Sequence, residues 1–206
     1  MSGFFNPDNW LWKFFGKAFD FFGLSSMWLL SSLFVVTVGP ASIALYDAAS
    51  HCLIHGESNM AGRFFRTLKR ELLPGILMAL VWGVVFFVLW CGFQIVRQMA
   101  QPIVTVVYYF SMFVPIAVLC WVIPIQSRFV YKFGQLHKMA LIFALRHLPR
   151  TILLVALALV TLELCIDFPF LLIFFPGIMV YLQALLIEKV FKKYMPEEEA
   201  MEETAE

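Results

Sequence analysis

Prolines that open long apolar stretches constrain this chain more than any other feature. Pro74, Pro102, Pro149 and Pro169 each begin an apolar run close to the length, about 20 residues, that crosses a bilayer as a helix. Proline is tolerated at the first position of a helix because the N–H that it lacks would be unpaired there. The Lys and Arg residues concentrate in alternate gaps between the runs. This pattern predicts a polytopic helical membrane protein with one fixed orientation.

The composition argues against a water-soluble globular protein. Of the 206 residues, 62% are hydrophobic and 14% are charged, against about half and about a quarter in soluble domains. The formal net charge of +1 predicts no affinity for nucleic acid. The four cysteines are far apart and lack the paired spacing of a zinc or redox site. Free thiols are therefore expected, and no cofactor is predicted.

Hydropathy predicts an all-α protein with five transmembrane helices. The predicted spans are residues 19–38, 74–94, 102–125, 149–166 and 169–187. Pro40 is expected to kink the end of the first span, after which residues 41–55 continue as a moderately polar helix. Residues 1–18 are predicted to be an aromatic interfacial segment, residues 19–195 the membrane domain, and residues 196–206 a disordered acidic tail.

Two basic segments between the spans predict short amphipathic helices on the cytoplasmic membrane surface. Their basic residues are Arg63, Arg66, Lys69 and Arg70 in the first segment and Arg146 and Arg150 in the second. Since Lys and Arg favour the cytoplasmic side, these segments and the C-terminus are expected inside and the N-terminus outside. Lys13 and Lys17 would then have to lie along an outer interfacial helix.

Glu163 is the sole carboxylate well inside a predicted span. It lies 14 residues past Pro149, about 21 Å along a helix axis, which places it in the outer half of the bilayer. A carboxylate at that depth is normally paired or functional. Arg97, at the outer end of the second span, is the expected partner, and Asp167 lies one turn further out. Two interpretations are open: an ion or proton site, and a structural clamp between spans two and four.

Asp47, His51 and His55 recur every four residues, so a helix places them on one face. One Asp and two His could ligate a transition metal. Further ligands are missing locally, and the alternative is the solvated face of a cytoplasmic helix, so no metal is predicted. The sequence contains no phosphate-binding loop, nucleophile elbow or zinc-protease motif. We therefore predict that the protein is not an enzyme.

The stretch TVGPASIALY, from Thr37 to Tyr46, resembles a motif of the YesL family of bacterial membrane proteins, in which Thr37, Gly39, Pro40 and Tyr46 match motif positions. A Gly-Glu pair at residues 56–57 and the aromatic-basic segment FFRTLK at residues 64–69 follow, as in that family. The closing segments FPG at residues 175–177 and VFKKY at residues 190–194 are also similar.

The resemblance implies a cellular role but no chemical reaction. The YesL family is largely uncharacterised, and its members tend to be encoded beside carbohydrate ABC importers in Gram-positive bacteria and are presumed to assist them. It therefore implies a multi-pass protein of the bacterial cytoplasmic membrane, with the lipid bilayer and importer permease subunits as partners. No catalytic residues come with it. The alternative expectation is a small homo-oligomeric secondary transporter that uses Glu163.

Overall fold

A computed structural model describes residues 10–99, 101–129 and 131–193 of the chain. It contains eight helices in the described ranges, with no strand among them: α1 (Trp10–Ser31), α2 (Val38–Ala48), α3 (Met60–Arg70), α4 (Leu72–Met99), α5 (Pro102–Arg128), α6 (Phe133–Arg146), α7 (Leu148–Asp167) and α8 (Phe175–Phe191). A 3-10 turn at Val35–Thr37 precedes α2, a π-helical turn at Ala49–Ile54 extends α2, and a 3-10 helix at Pro169–Ile173 precedes α8. The all-α prediction is confirmed. The predicted tail, residues 196–206, and residues 1–9 of the predicted interfacial segment lie outside the described residues.

Three described helices, α4, α5 and α7, are long and apolar enough to cross a membrane. Pro74, Pro102 and Pro149 lie in their first turns, as the sequence predicts. Such helices belong in a lipid bilayer, because their exposed apolar side chains would be unfavourable in water. The predicted count of five spans stays a prediction.

The first apolar segment forms a hairpin instead of a single kinked span. Two contacts define the direction of α1 relative to α8. Phe21 in α1 contacts Tyr181 in α8, with ring centroids 5.4 Å apart, and the hydroxyl of Ser25, later in α1, donates at 3.0 Å to the carbonyl of Phe174, which precedes α8. Helix α1 therefore runs antiparallel to α8. The chain then reverses between α1 and α2, so that the Trp28 indole of α1 donates to the Ser42 hydroxyl of α2 at 3.2 Å. Within the turn, the Thr37 hydroxyl donates to the carbonyl of Phe34 at 2.7 Å.

This hairpin differs from the prediction that residues 19–38 cross once and leave the N-terminus outside. Because the chain turns back before α2, the start of α1 and the start of α3 lie at the same end of the bundle. Pro40 also differs from its expected role. It lies in the first turn of α2, where proline is tolerated, and the interruption precedes it.

The tightly packed core lies at the end of the bundle where the short helices α3 and α6 pack. All the buried residues of α5 fall between Ala117 and Ser127, and most of those of α4 fall between Gly75 and Trp82. The fully buried Trp121 donates its indole N–H to Thr151 at 3.0 Å, and the Thr151 hydroxyl donates to the Ala144 carbonyl at 2.9 Å. These bonds join α5, α6 and α7. The far halves of α4 and α5 extend beyond this core.

Helices α2 and α4 cross with their backbones in contact. A Cβ atom added at Gly39 would overlap the Gly75 carbonyl oxygen and lie 2.9 Å from the Ala79 Cβ. A Cβ atom added at Gly75 would lie 2.7 Å from the Pro40 Cα. Small residues allow such approaches, which supply van der Waals contact where the hydrophobic effect is weak. The crossing gives a packing reason for two of the residues that resemble the YesL motif.

Candidate functional site

A network of polar side chains at the tightly packed end surrounds the C-terminal end of α2. Asp47 and His51 are buried, with exposed fractions of 3% and 8%. Asp47 lies in the last turn of α2, and His51 lies in the π-helical turn that follows. Such turns place side chains differently from a regular helix and are frequent at functional sites. The prediction of a solvated face for these two residues is therefore wrong.

Helix α3 supplies the donors that pair with Asp47. The Arg63 Nε atom donates to Asp47 Oδ2 at 3.1 Å, and the Thr67 hydroxyl donates to the same oxygen at 2.6 Å. Arg63 and Thr67 are four residues apart, so they share the face of α3 that meets α2. Asn59 caps this helix by accepting a hydrogen bond from the Gly62 N–H at 3.0 Å. The cap fixes where α3 begins and thereby positions both donors.

Helices α5 and α8 supply the second half of the network. Two nitrogens of Arg128 donate to Glu188 Oε1, Nε at 3.2 Å and Nη2 at 3.0 Å. The Tyr46 hydroxyl on α2 also donates to this oxygen, at 3.5 Å. The Arg128 and Glu188 side chains are only 9% and 6% exposed. Their charges are therefore stabilised by each other and by neighbouring polar groups, with little help from water.

His51 joins the two halves, and its hydrogen bonds define its tautomer. The Arg128 Nη1 atom lies 2.9 Å from His51 Nε2, and since a guanidinium only donates, Nε2 must accept. Nδ1 then carries the proton and donates to Glu57 Oε1 at 2.8 Å. Asp47 Oδ1 lies 3.7 Å from Nε2, too far for a hydrogen bond, and an accepting Nε2 carries no proton for it.

Burial and the nearby guanidinium groups of Arg128 and Arg63 lower the pKa of His51. His51 is therefore neutral at pH 7. Glu57 completes the network by accepting from Arg63 Nη1 at 2.6 Å. Three carboxylates, those of Asp47, Glu57 and Glu188, face two guanidinium groups and a neutral imidazole.

This network connects α2, α3, α5 and α8, and its arrangement is more typical of a structural role than of a reactive centre. Both nitrogens of His51 are occupied, and both oxygens of Asp47 accept from Arg63. His55 is exposed, with its ring edge-on to His51 at 5.8 Å. In the described part of the chain, no group of three or more His, Cys, Asp or Glu is arranged to hold a metal ion. The Asp47, His51 and His55 set is therefore not assembled as a metal site.

The structure does not bring the predicted intramembrane polar residues together. Glu163, Arg97 and Asp167 are exposed, and the ion pairs of the described residues do not include any of them. The Arg97 guanidinium lies over the Phe93 ring at 5.8 Å. Helix α7 packs mainly against α5 and α8, and α4 mainly against α2, the 3-10 turn that precedes α2, and α5. A clamp between α4 and α7 is not seen.

The predicted basic helices exist, but their charges do not share one face. Arg66, Lys69 and Arg70 are exposed on α3, whereas Arg63 turns inward to Asp47. On α6 and the start of α7, Arg146 is exposed and Arg150 is half-buried. Arg66, Lys69 and Arg70 therefore form the exposed basic face of α3, whereas Arg63 belongs to the network around Asp47.

Sequence reasoning missed four members of the network: Thr67, Arg128, Glu188 and Glu57 as a partner of His51. Arg128 and Glu188 are 60 residues apart and are paired only by the packing of α5 on α8. The available signal was their position, since each is a charged residue at the end of an apolar helix. In the sequence, Tyr46 is distinguished only as a position of the YesL-like motif, and the structure shows that its hydroxyl pairs with Glu188.

Residues 9–93 match the model of a family described as "Protein of unknown function, DUF624". No curated protein and no solved structure matches the chain. The matched segment contains α1 to α3 and most of α4, and with them Asp47, His51, Glu57, Arg63 and Thr67. Arg128 and Glu188 lie beyond it. The match is consistent with a family of the YesL type, and its description names no activity.

Proposed function

We propose that the protein is a non-enzymatic integral membrane accessory protein that assists a carbohydrate ABC importer of a Gram-positive bacterium. The family resemblance motivates the choice of importer. The observation that carries the accessory role is the exposure of α4, of whose 28 residues only Gly75, Met78, Trp82 and Val96 are buried. A helix so weakly covered by its own chain has most of its apolar surface available to lipid or to the helices of a partner.

Gly83, which is exposed, and Ala79, which is half-buried and borders the crossing with α2, give α4 a surface suited to a partner helix. They are four residues apart, and a Cβ atom added at Gly83 would meet nothing within 4 Å. Small residues at this spacing let membrane helices approach closely. Shallow apolar depressions of about 270 and 320 Å³ lie along this part of α4, beside Val35 of the turn between α1 and α2. We infer that the permease helices pack here.

The network would hold this surface in place. It joins α2, α3, α5 and α8 through charged hydrogen bonds at the end from which α4 begins. We further infer that this end faces the cytoplasm, with α3 on the inner membrane surface. The hairpin of α1 and α2 then puts Lys13 and Lys17 on the cytoplasmic side as well, which agrees with the distribution expected of basic residues.

Affinity purification from native membranes in mild detergent, followed by mass spectrometry, tests the proposal. Permease subunits of a carbohydrate importer are expected at a stoichiometric level with the wild type. Gly83→Leu is expected to lose them, because the larger side chain blocks close approach. Ala156→Leu, on an exposed position of α7, is the matched control and should retain them. Recovery of the wild type without any importer subunit would contradict the proposal.

One observation favours the alternative of a small oligomeric transporter. Glu163 is an exposed carboxylate on α7, between the exposed apolar side chains of Leu162 and Ile166. A charge on a lipid-facing surface is unfavourable, so a second copy of the chain that covered it would lower the free energy. A homo-oligomer without partners in the same purification, together with loss of transport in Glu163→Gln, would favour this function.

A further inference from the structure

A cavity of about 280 Å³ lies among the helices of the bundle, and none of the residues of the buried network lines it. Its lining comes from α1, α2, α5, α7 and α8, and includes Trp28, Cys120, Ala158, Cys165 and Gln183. It is nearly twice the size of an engineered apolar cavity of roughly 150 Å³ that stays dry and binds benzene. A molecule bound there would gain dispersion contacts with the side chains around it.

Gln183 is the exceptional group in this lining. It is 7% exposed, and none of the hydrogen bonds of the described residues includes its carboxamide. The other polar groups of the lining have partners. The Trp28 indole N–H donates to Ser42 at 3.2 Å, and the Thr161 hydroxyl donates to the Leu157 carbonyl at 2.8 Å. The Gln183 carboxamide is not among the fully buried polar atoms that lack a partner, so it is open to the cavity and can pair with a ligand bound there.

The chemistry of the lining defines the ligand. The surroundings are aliphatic and aromatic, and the lining contains no charged side chain. A charged head group would lose its hydration without compensation, whereas a hydroxyl or carbonyl could both satisfy Gln183 and leave the rest of the molecule in apolar contact. Leu162 also lines the cavity and is 58% exposed, so the cavity borders the surface that faces lipid.

We propose that this cavity binds the apolar chain of a neutral membrane lipid, whose hydroxyl or carbonyl group pairs with the Gln183 carboxamide. Ala79 and Gly83 of the proposed importer contact lie outside its lining, although Ser42, Leu119 and Ile123 line both this cavity and the neighbouring depression of about 270 Å³.

Cys120 and Cys165 allow a direct test, because both line the cavity and both are free thiols. The other two, Cys52 and Cys91, are replaced by Ala in the full-length protein, which is reconstituted in lipid nanodiscs. The rate at which N-ethylmaleimide modifies each remaining thiol is measured by mass spectrometry. The probes are 1-decanol and decane, each at the same mole fraction in the bilayer. Both should slow modification, and decanol should bind about fivefold more tightly, the factor expected of one hydrogen bond.

Three variants separate the contributions. Gln183→Leu should remove the preference for decanol over decane while keeping protection by both. Ala158→Leu fills the cavity and should abolish protection, whereas Ala156→Leu, on an exposed position of the same helix, should behave as the parent protein does. Absence of protection in the parent, or equal protection in Ala158→Leu, would overturn the site. Equal affinity for decanol and decane in the parent would overturn the role of Gln183.

Discussion

Removing the Arg128 guanidinium tests the buried network most severely, because it leaves the enclosed carboxyl group of Glu188 without its main partner. The substitution Arg128→Met keeps much of the length and apolar volume of the side chain. Glu188 would retain only the long contact from the Tyr46 hydroxyl, at 3.5 Å. The expected result is a large loss of stability that does not arise from a packing defect.

The size of the loss follows from burial. The two side chains are 9% and 6% exposed, so solvent screening does not reduce the interaction much. Breaking such a pair by removing one partner costs about 3–5 kcal/mol. For a chain of this length, that corresponds to a fall in Tm of roughly 6–20 °C. Replacing both partners should cost less, because neither charge is then left alone.

Thermal unfolding in mild detergent, followed by intrinsic fluorescence, measures this for the wild type, Arg128→Met, Glu188→Gln and the double variant. The double variant should recover much of the loss in Arg128→Met, with a coupling energy of at least about 2 kcal/mol. Arg97→Met, which removes an exposed charge, is the control and should change Tm little. Single-variant losses below about 1 kcal/mol that simply add would refute the network as a buried connector.

Three further predictions follow from the described contacts. The pKa of His51 is lowered in the folded protein, so its contribution to stability is complete above about pH 6.5 and is lost as the pH falls. The Tm difference between the wild type and His51→Gln should therefore shrink between pH 7.5 and pH 5. A difference that grows on acidification would oppose the assignment. Gly39→Ala should destabilise the protein by about 1–3 kcal/mol in the same assay, since its Cβ would meet the Gly75 backbone, whereas Gly83→Ala should change stability by less than about 0.5 kcal/mol. Green fluorescent protein fused before α1 should fluoresce, because the proposed orientation places that end on the cytoplasmic side, and an active alkaline phosphatase fusion there would contradict the orientation.

The long apolar helices were predictable because their positions depend on local properties of the chain. The apolar runs after Pro74, Pro102 and Pro149 are long, and proline defines where each helix starts. The turn between α1 and α2 was not predictable in the same way. Leu33, Phe34 and Val35 are apolar and continue the hydropathy of α1, so hydropathy alone reads the turn as more of the span. The Thr37 hydroxyl that caps the turn is a weak signal by comparison.

The network was only partly predictable for a related reason. The four-residue spacing of Asp47 and His51 correctly predicts one helical face, but spacing contains no information about what covers that face. Burial came from α3, α5 and α8, which arrive from distant parts of the chain. The pair Glu163 and Arg97 shows the opposite error. Both residues are unusual for their segments, and the packing of α4 and α7 on other helices keeps them apart.

Carbohydrate uptake in the host tests the proposed accessory function most directly. Uptake of radiolabelled sugars, each taken up by an ABC importer, would be compared between the wild-type strain and a strain that lacks the gene. The accessory role predicts loss of uptake for at least one sugar, restored by the wild-type protein and by Glu163→Gln but not by Gly83→Leu. Uptake of every such sugar at wild-type rates in the deletion strain would contradict it.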